Sequence, residues 1–299
     1  MSNINCLIAG LPQSGKSTYI GALWYIVQNS KSVIDLSLES GNNPPDNVQH
    51  LNGLLDKWAK LQKMRTANDV SDNITMNLRR KLDGEEFSLA IPDFRGESIR
   101  DIINGISSEA LISWCEKSTS LLYLVNNINV SELYENMKMR DEKLNDESAD
   151  QDSIGIGDPT FDISQMITPS QDMIILKFLS QNMIFKKVII GISAWDEIYF
   201  SNDPITPEAY LEENSPALYN FIKYRFKDVK IIGISAQGDK YKYKEEQEQL
   251  NPEIDEPKEL IEEFEDMMVQ KTQNGKRAYV VMDKNPEYDI TLPINYLIS

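Results

Sequence analysis

The sequence predicts a three-layer α/β fold: a doubly wound, mainly parallel sheet with helices on both faces and one antiparallel edge hairpin strand. Short, continuously apolar runs at residues 4–9 and 121–125 are typical of strands buried on both faces of a parallel sheet. Segments with apolar residues at helical spacing alternate with these strands along the chain. Sheets of this kind bind ligands at the carboxyl ends of their strands.

The first elements follow one another closely. After the strand at residues 4–9 comes a glycine-rich turn and then an amphipathic helix. Residues 33–38 predict an extra strand, and two prolines break the chain within residues 42–47. A second amphipathic helix covers residues 51–61. Asp83-Gly84 then favours a tight turn between two antiparallel strands, because glycine accepts a positive φ without strain.

The later elements are predicted from the same two sequence patterns, which are continuous apolar runs for strands and apolar residues at helical spacing for helices. They are a helix over 99–110, strands over 121–125 and 188–192, a helix over 173–183, a helix that Ser215 caps, a last main-sheet strand over 229–234, a closing helix over 260–268 and an apolar tail.

We expect the whole chain, residues 1–299, to form one domain with insertions near residues 41–66, 127–168 and 237–256. The middle of the second insertion is acidic and poor in large apolar side chains, which favours a solvated loop.

The charge of the chain limits its partners. Its 47 acidic and 30 basic residues give a formal net charge of −17. A surface this negative repels nucleic-acid backbones and anionic lipids, so we expect neither nucleic-acid binding nor membrane insertion. Cys6 and Cys115 lie in apolar segments, which predicts buried free thiols in a reducing, cytoplasmic compartment.

The most specific motif follows the first strand. Residues 10–17 match G-x-x-x-x-G-K-[ST] between a predicted strand and a predicted helix. Its glycines let the backbone wrap around nucleotide phosphates, and the loop N–H groups converge at a helix N-terminus. In this motif the lysine reaches the β- and γ-phosphates and the hydroxyl ligates Mg²⁺. The residues predicted to bind nucleotide here are Gly10, Gln13, Ser14, Gly15, Lys16, Ser17 and Thr18, with Ser17 also a metal ligand.

A second motif, D-x-x-G, begins at Asp93, at the carboxyl end of a predicted strand. A carboxylate at this place holds a Mg²⁺-bound water, and the N–H of Gly96 is placed to contact a γ-phosphate. The motif is weak by itself, but its position one hairpin after the phosphate loop strengthens it.

With these motifs in this order, the chain resembles the Ras-like P-loop GTPases of the translation-factor-related class. That family places a base-recognising N-K-x-D and an S-A turn after two later strands. Asp196 matches the residue that accepts hydrogen bonds from guanine N1 and N2, and Ser235-Ala236 matches the turn whose N–H meets guanine O6. The resemblance implies a Ras-like P-loop NTPase fold with bound GTP or GDP and Mg²⁺.

The chain departs from the family pattern at three positions. Ser193 and Ala194 replace the usual asparagine and lysine, so the lysine stem that stacks on the base is lost. We expect Trp195 to cover the purine instead. Glu97 stands where many relatives carry the glutamine that orients the attacking water, and we expect it to position that water.

The resemblance also implies a threonine that binds both Mg²⁺ and the γ-phosphate before the hairpin. Thr66 is the predicted residue, because Thr75 falls inside a strand. Arg65 beside it suggests an arginine supplied in cis, as in the α-subunits of heterotrimeric G proteins. An equally good interpretation of Arg65 is a basic residue near a helix C-terminus.

More narrowly, the chain resembles the double-GTPase-type proteins of bacterial conflict systems. This resemblance implies a GTP-binding switch with slow Mg²⁺-dependent hydrolysis that acts with partner proteins. An ATP-using P-loop enzyme, in which Asp196 only caps a helix, is one alternative. A pseudo-GTPase scaffold that binds nucleotide without hydrolysis is another.

Overall fold

The computed structural model describes residues 2–29, 35–62, 73–92, 96–126, 166–199, 205–238 and 258–299. At positions 2, 73, 96, 97 and 258–265 within these ranges, the structure describes the backbone alone. No helix in the described ranges combines the length and apolarity that a bilayer-spanning segment needs.

The described strands form one mixed sheet in the order β2-β3-β4-β1-β5-β6-β7-β8-β9. Its central strands, β4, β1, β5, β6 and β7, pair in parallel, and the strands at both edges pair antiparallel. The bounds are β1 Ser2–Gly10, β2 Leu38–Ser40, β3 Asn73–Arg80, β4 Glu86–Pro92, β5 Ser120–Val125, β6 Lys187–Ser193, β7 Val229–Ser235, β8 Tyr279–Val281 and β9 Pro286–Glu287.

The helices cover both faces of this sheet. Their bounds are α1 Lys16–Asn29, α2 Val48–Ala59, α3 Gly96–Arg100 with a 3₁₀ turn at Asp101–Asn104, α4 Glu109–Lys117, α5 Thr168–Asn182, α6 Trp195–Tyr199, α7 Pro207–Asn214, α8 Pro216–Arg225, α9 Lys258–Gln273 and α10 Leu292–Ile298.

Side chains of β1 alternate between two apolar layers. Cys6 and Ile8 belong to the layer under α1 and α2, whereas Leu7 and Ala9 belong to the layer under α4 and α5. Successive residues of a strand point to opposite faces, so a strand that is apolar throughout must be covered on both sides. The α/β fold class and the burial of the free thiols Cys6 and Cys115 are therefore confirmed.

The sheet carries more antiparallel strands than predicted. Residues 229–234 are not the last main-sheet strand, because β8 pairs with β7 and β9 pairs with β8. At the other edge, β2 at Leu38–Ser40 extends the predicted hairpin and shares only residue 38 with the strand predicted over residues 33–38, of which residues 33 and 34 lie outside the described residues. The hairpin itself is confirmed, with Gly84 at a φ of 73°.

The single helix predicted over residues 99–110 is wrong. The chain turns at Gly105, whose φ is 74°, and the amides of Gly105 and Ile106 close on the carbonyls of Ile102 and Asp101. This is the left-handed closure that often ends a helix. The Ser108 hydroxyl then accepts a hydrogen bond from the Leu111 amide at 3.2 Å and begins α4 as a separate helix.

Candidate nucleotide-binding site

The parallel pairing of the central strands brings the sequence motifs to one edge of the sheet. Strands β1, β5, β6 and β7 run in the same direction, so their carboxyl ends share that edge. The loop at residues 10–17 follows β1, Ser193 ends β6, and Ser235 ends β7. A ligand bound at this edge can therefore touch both motif regions.

The loop between β1 and α1 needs its glycines. Gly10 has a φ of 151° and Gly15 a φ of 84°, and Gln13, at 63°, is also left-handed. A Cβ on Gly10 would lie 2.3 Å from the carbonyl oxygen of Leu124 and 2.5 Å from Ser14 Oγ. The loop thus curls back over the end of β5, in a path that a side chain at position 10 would block.

The curled loop opens directly into α1. Tyr19 N–H donates the first hydrogen bond of the helix, 2.8 Å to the carbonyl oxygen of Gly15. In an α-helix the N–H groups of the first turn have no acceptor within the helix itself, and here those of Ser17 and Thr18 belong to that turn. Together with the helix dipole they favour an anion at this point, as a phosphate requires.

Lys16 is held inside the loop. Its ammonium donates to the carbonyl oxygens of Gly10 at 2.9 Å and Leu11 at 2.8 Å, and it lies 3.3 Å from Ser14 Oγ. The side chain is only 8% exposed. These contacts fix a positive charge beside the N–H groups of α1, which is the arrangement that the predicted phosphate site requires.

The second motif region centres on a buried pair, Asp196 and Ser235. The Ser235 hydroxyl donates to Asp196 Oδ1 at 2.6 Å and accepts a hydrogen bond from the Gly238 amide at 3.1 Å. Burial, and next the charge of Asp196, raise the pKa of the neighbouring Tyr279. The structure therefore brings together two of the residues that were predicted to recognise guanine, although they are 39 positions apart.

Ser193 joins the two motif regions. A Cβ on Gly15 would lie 3.6 Å from Ser193 Cβ, so the phosphate loop and the start of the 193–196 segment are in contact. The Ser193 hydroxyl donates to the Val125 carbonyl at 2.9 Å, which ties β6 to the end of β5. Ala194 follows with a φ of 51°. This strained residue turns the chain into α6, where Asp196 lies in the first turn.

The prediction that Trp195 covers the purine is wrong. Its side chain is 0% exposed and lies in the apolar layer with Tyr210, whose ring meets it edge-on at 5.5 Å. A Cβ on Gly233 would come within 2.3 Å of the indole, so the ring lies directly on β7. Trp195 therefore packs against β7 and anchors α6 to the sheet.

Several predicted site residues lie outside the described residues. These are Arg65, Thr66 and Asp93. Gly96 and Glu97 are the first residues of α3, four positions after β4 ends at Pro92, and only their backbone is described. Among the described residues no group of three or more acidic, histidine or cysteine side chains is placed to hold a metal ion. Ser17 is the described member of the predicted Mg²⁺ ligand set.

Asp172, near the start of α5, is a buried acidic residue that the sequence analysis missed and on which the charge of Lys16 acts. It is 2% exposed and accepts a hydrogen bond from the Tyr123 hydroxyl at 2.7 Å. Burial raises its pKa from 3.8 to about 7, against the opposing effects of that hydrogen bond and of the Lys16 charge. It lies one position before the helix predicted over residues 173–183, whereas the observed helix already begins at Thr168.

Replacing Asp172 by asparagine should make stability less dependent on pH. The folded state holds the Asp172 proton up to about pH 7, whereas the unfolded chain releases it near 3.8. The contribution of Asp172 to the free energy of unfolding therefore falls as the pH rises through this window, by on the order of 2 kcal/mol between pH 5 and 7. Urea unfolding at both pH values should show a smaller change for D172N. An unchanged pH dependence in D172N, equal to that of the exposed-residue control D266N, would refute this.

Comparison with known protein families agrees with the motifs. A family model described as Double-GTPase 1 matches residues 7–297. This match confirms the predicted resemblance to the double-GTPase-type proteins. None of the curated proteins matches the chain.

Three solved structures share low similarity with the chain. Sup35 complexed with GMPPNP matches at 10% identity over 80% of this chain and 38% of that one, with a TM-score of 0.37. Methanosarcina barkeri Roco2 bound to GDP matches at 12% over 80% and 45%, with a TM-score of 0.35. The bacterial selenocysteine-specific elongation factor EF-Sec matches at 16% over 88% and 29%, with a TM-score of 0.35. The chain spans less than half the length of each.

Proposed function

Since the chain belongs to the Double-GTPase 1 family, we propose that it is a GTP-binding switch protein that hydrolyses GTP slowly with Mg²⁺. One observation carries the proposal beyond family membership. The phosphate loop and the Asp196–Ser235 pair lie at the same edge of the sheet, and Ser193 lies between them.

The phosphate half of the proposed site acts by charge and by backbone hydrogen bonding. The N–H groups at the start of α1 bind the phosphate oxygens, and Lys16 neutralises charge on the β- and γ-phosphates. Because Lys16 is already held by two loop carbonyls, little side-chain freedom is lost when phosphate binds.

The base half of the proposed site acts by donor and acceptor matching. A carboxylate accepts hydrogen bonds only, and the edge of guanine presents two donors, N1–H and the N2 amino group. Ser235 holds one oxygen of Asp196 in place, so the orientation of the carboxylate plane is set before a base arrives. Adenine has neither of these two donors on that edge, so adenine nucleotides should bind more weakly.

A Mg²⁺ ion bound in the proposed site would supply positive charge to the phosphates during hydrolysis. Ser17 would hold it together with Thr66 and Asp93. Gly96 is proposed to contact the γ-phosphate, Glu97 to position the attacking water and Arg65 to stabilise the transition state in cis.

We further propose that the protein acts in the cytoplasm with partner proteins, in a bacterial conflict, defence or signalling system. This part of the proposal rests on the family resemblance and on the charge of −17, which favours protein partners over nucleic acid.

Single-turnover phosphate release from GTP tests the activity. With Mg²⁺ we expect a rate of roughly 10⁻⁴ to 10⁻² s⁻¹, and none with EDTA. The variant R65A should hydrolyse GTP at least about threefold more slowly if Arg65 acts in cis; a smaller loss rejects that role.

Two results would contradict the proposed activity. Equal hydrolysis of ATP would indicate an ATP-using enzyme, and tight GTP binding with no phosphate release would indicate a pseudo-GTPase scaffold.

A further inference from the structure

The turn at residues 235–238 is held from outside the strand that carries it. Trp58, near the C-terminal end of α2, donates its indole N–H to the carbonyl oxygen of Ala236 at 2.8 Å. Arg277, just before β8, donates its Nε–H to the carbonyl oxygen of Gln237 at 3.1 Å. Two consecutive peptide groups of the turn are therefore each bound by a side chain from another element.

Arg277 also holds Trp58. Its guanidinium carbon lies 3.8 Å from the centroid of the indole ring, and Nη2 donates to the Trp58 carbonyl at 2.7 Å. Nη1 lies 3.3 Å from the Thr272 hydroxyl. Arg277 and Trp58 are each only 1% exposed, and a buried guanidinium retained at such a place must satisfy its donors locally. The two side chains form one unit, which we call the Trp58–Arg277 clamp.

The clamp sets the direction of the N–H groups in the turn. In a planar trans peptide group, C=O and N–H point in opposite directions. With the Gln237 carbonyl on Arg277, the Gly238 N–H points away from it, where it donates to Ser235 Oγ at 3.1 Å. With the Ala236 carbonyl on Trp58, the Gln237 N–H points away from the clamp in the same manner.

Gly238 shows how closely the turn and the clamp fit. Its φ is 89°, and a Cβ at this position would lie 1.9 Å from the carbonyl oxygen of Arg277. The backbone of the turn therefore rests directly on the backbone of Arg277. A displacement of Arg277 displaces the turn, and with it the Ser235 hydroxyl that orients Asp196.

The clamp also connects the turn to the helix of the phosphate loop. Tyr25 of α1 packs against Trp58, with ring centroids 4.9 Å apart. The position of the turn is thus fixed relative to α1, whose first residue is Lys16, as well as relative to β7. The connection to α1 matters here because Ala194 offers no side-chain stem to stack on a base.

We propose that Trp58 and Arg277 are positioning residues that determine selectivity for 6-oxopurine nucleotides, by fixing the turn whose amides face the purine oxygen. The inference rests on the proposed function, and deepens it by assigning selectivity to residues that do not touch the nucleotide.

Affinities of the W58F and R277K variants for GDP, IDP and ADP test the clamp. GDP and IDP share the 6-oxo group and ADP lacks it. Loss of one positioned hydrogen bond should weaken GDP and IDP roughly fivefold to tenfold and leave ADP unchanged, so the selectivity ratio falls. A purely structural role would weaken all three nucleotides alike. The matched controls are W114F on α4 and R225K, whose arginine bonds to Ser180 on the surface.

The possible outcomes separate the two proposals. A wild type that does not prefer GDP to ADP overturns the proposed function and the clamp together. A wild type that prefers GDP, with W58F and R277K keeping that ratio within twofold, overturns the clamp alone. W58F retains an aromatic ring against Arg277 and Tyr25 and loses the indole N–H. If circular dichroism shows that R277K is unfolded, W58F alone tests the clamp.

Discussion

Replacing Lys16 by alanine should lower the affinity for GDP by roughly 100-fold or more. The ammonium is the positive side chain held inside the phosphate loop, and hydrogen bonds between charged groups contribute on the order of 1.5–3 kcal/mol each. Calorimetric titration of GDP with Mg²⁺ measures the loss. Hydrolysis of GTP should disappear with it.

The control for K16A must separate binding from folding. The carbonyl oxygens of Gly10 and Leu11 lose a donor in K16A, so thermal unfolding without nucleotide should be compared with the wild type. K177A removes an exposed lysine from α5 and should bind GDP normally. A folded K16A that binds GDP within about threefold of the wild type would contradict the assignment of the loop as the phosphate site.

Replacing Asp196 by asparagine should change which purine the protein prefers. Asparagine keeps one acceptor for the Ser235 hydroxyl and presents an N–H₂ donor in place of the second oxygen. Guanine presents an amino group at C2, whereas xanthine presents an oxygen there. The substitution removes a mismatch with xanthine and creates one with guanine. We therefore expect the ratio of GDP to XDP affinity to fall by on the order of 1000-fold.

Competition of GDP and XDP against a fluorescent guanine nucleotide measures this change. E197Q, at the adjacent exposed position of α6, is the matched control and should keep the preference for GDP. If a folded D196N retains the wild-type ratio within about threefold, Asp196 only supports Ser235 and the start of α6, as the helix-cap interpretation holds.

The shape of the loop at residues 10–17 was predictable because the turn depends on local sequence. A loop that follows a strand, opens a helix and needs left-handed residues must carry glycine at fixed spacing, as Gly10 and Gly15 show. Lys16 and Ser17 follow from the same spacing. The Asp83-Gly84 hairpin was predictable for a related reason, since a two-residue signal determines its turn.

Features that depend on distant contacts were not predictable. Trp195 stands beside a motif residue in sequence, but its burial depends on Gly233 in the next strand and on Tyr210. Arg277 reaches Trp58 across 219 positions, and no local pattern predicts that the two residues meet. Asp172 becomes a buried carboxylate because β5 places Tyr123 against it.

The broken helix at residues 99–110 shows a different difficulty. Ile99, Ile102 and Ile106 keep a helical spacing in the sequence across the break, but only Ile99 and Ile102 are buried, and Ile106 is exposed beyond the left-handed turn at Gly105. Two local features of the sequence indicate the break, namely Gly105, which ends the first segment, and Ser108, which begins α4.

The most direct test of the central claim is a calorimetric comparison of GDP, GTP, ADP and ATP with the wild-type protein in Mg²⁺. The proposed site predicts that GDP and GTP bind with one-to-one stoichiometry and at least about 100-fold more tightly than their adenine counterparts, since Asp196 and the 235–238 turn match guanine alone. Adenine nucleotides that bind as tightly, or guanine nucleotides that do not bind, would contradict it.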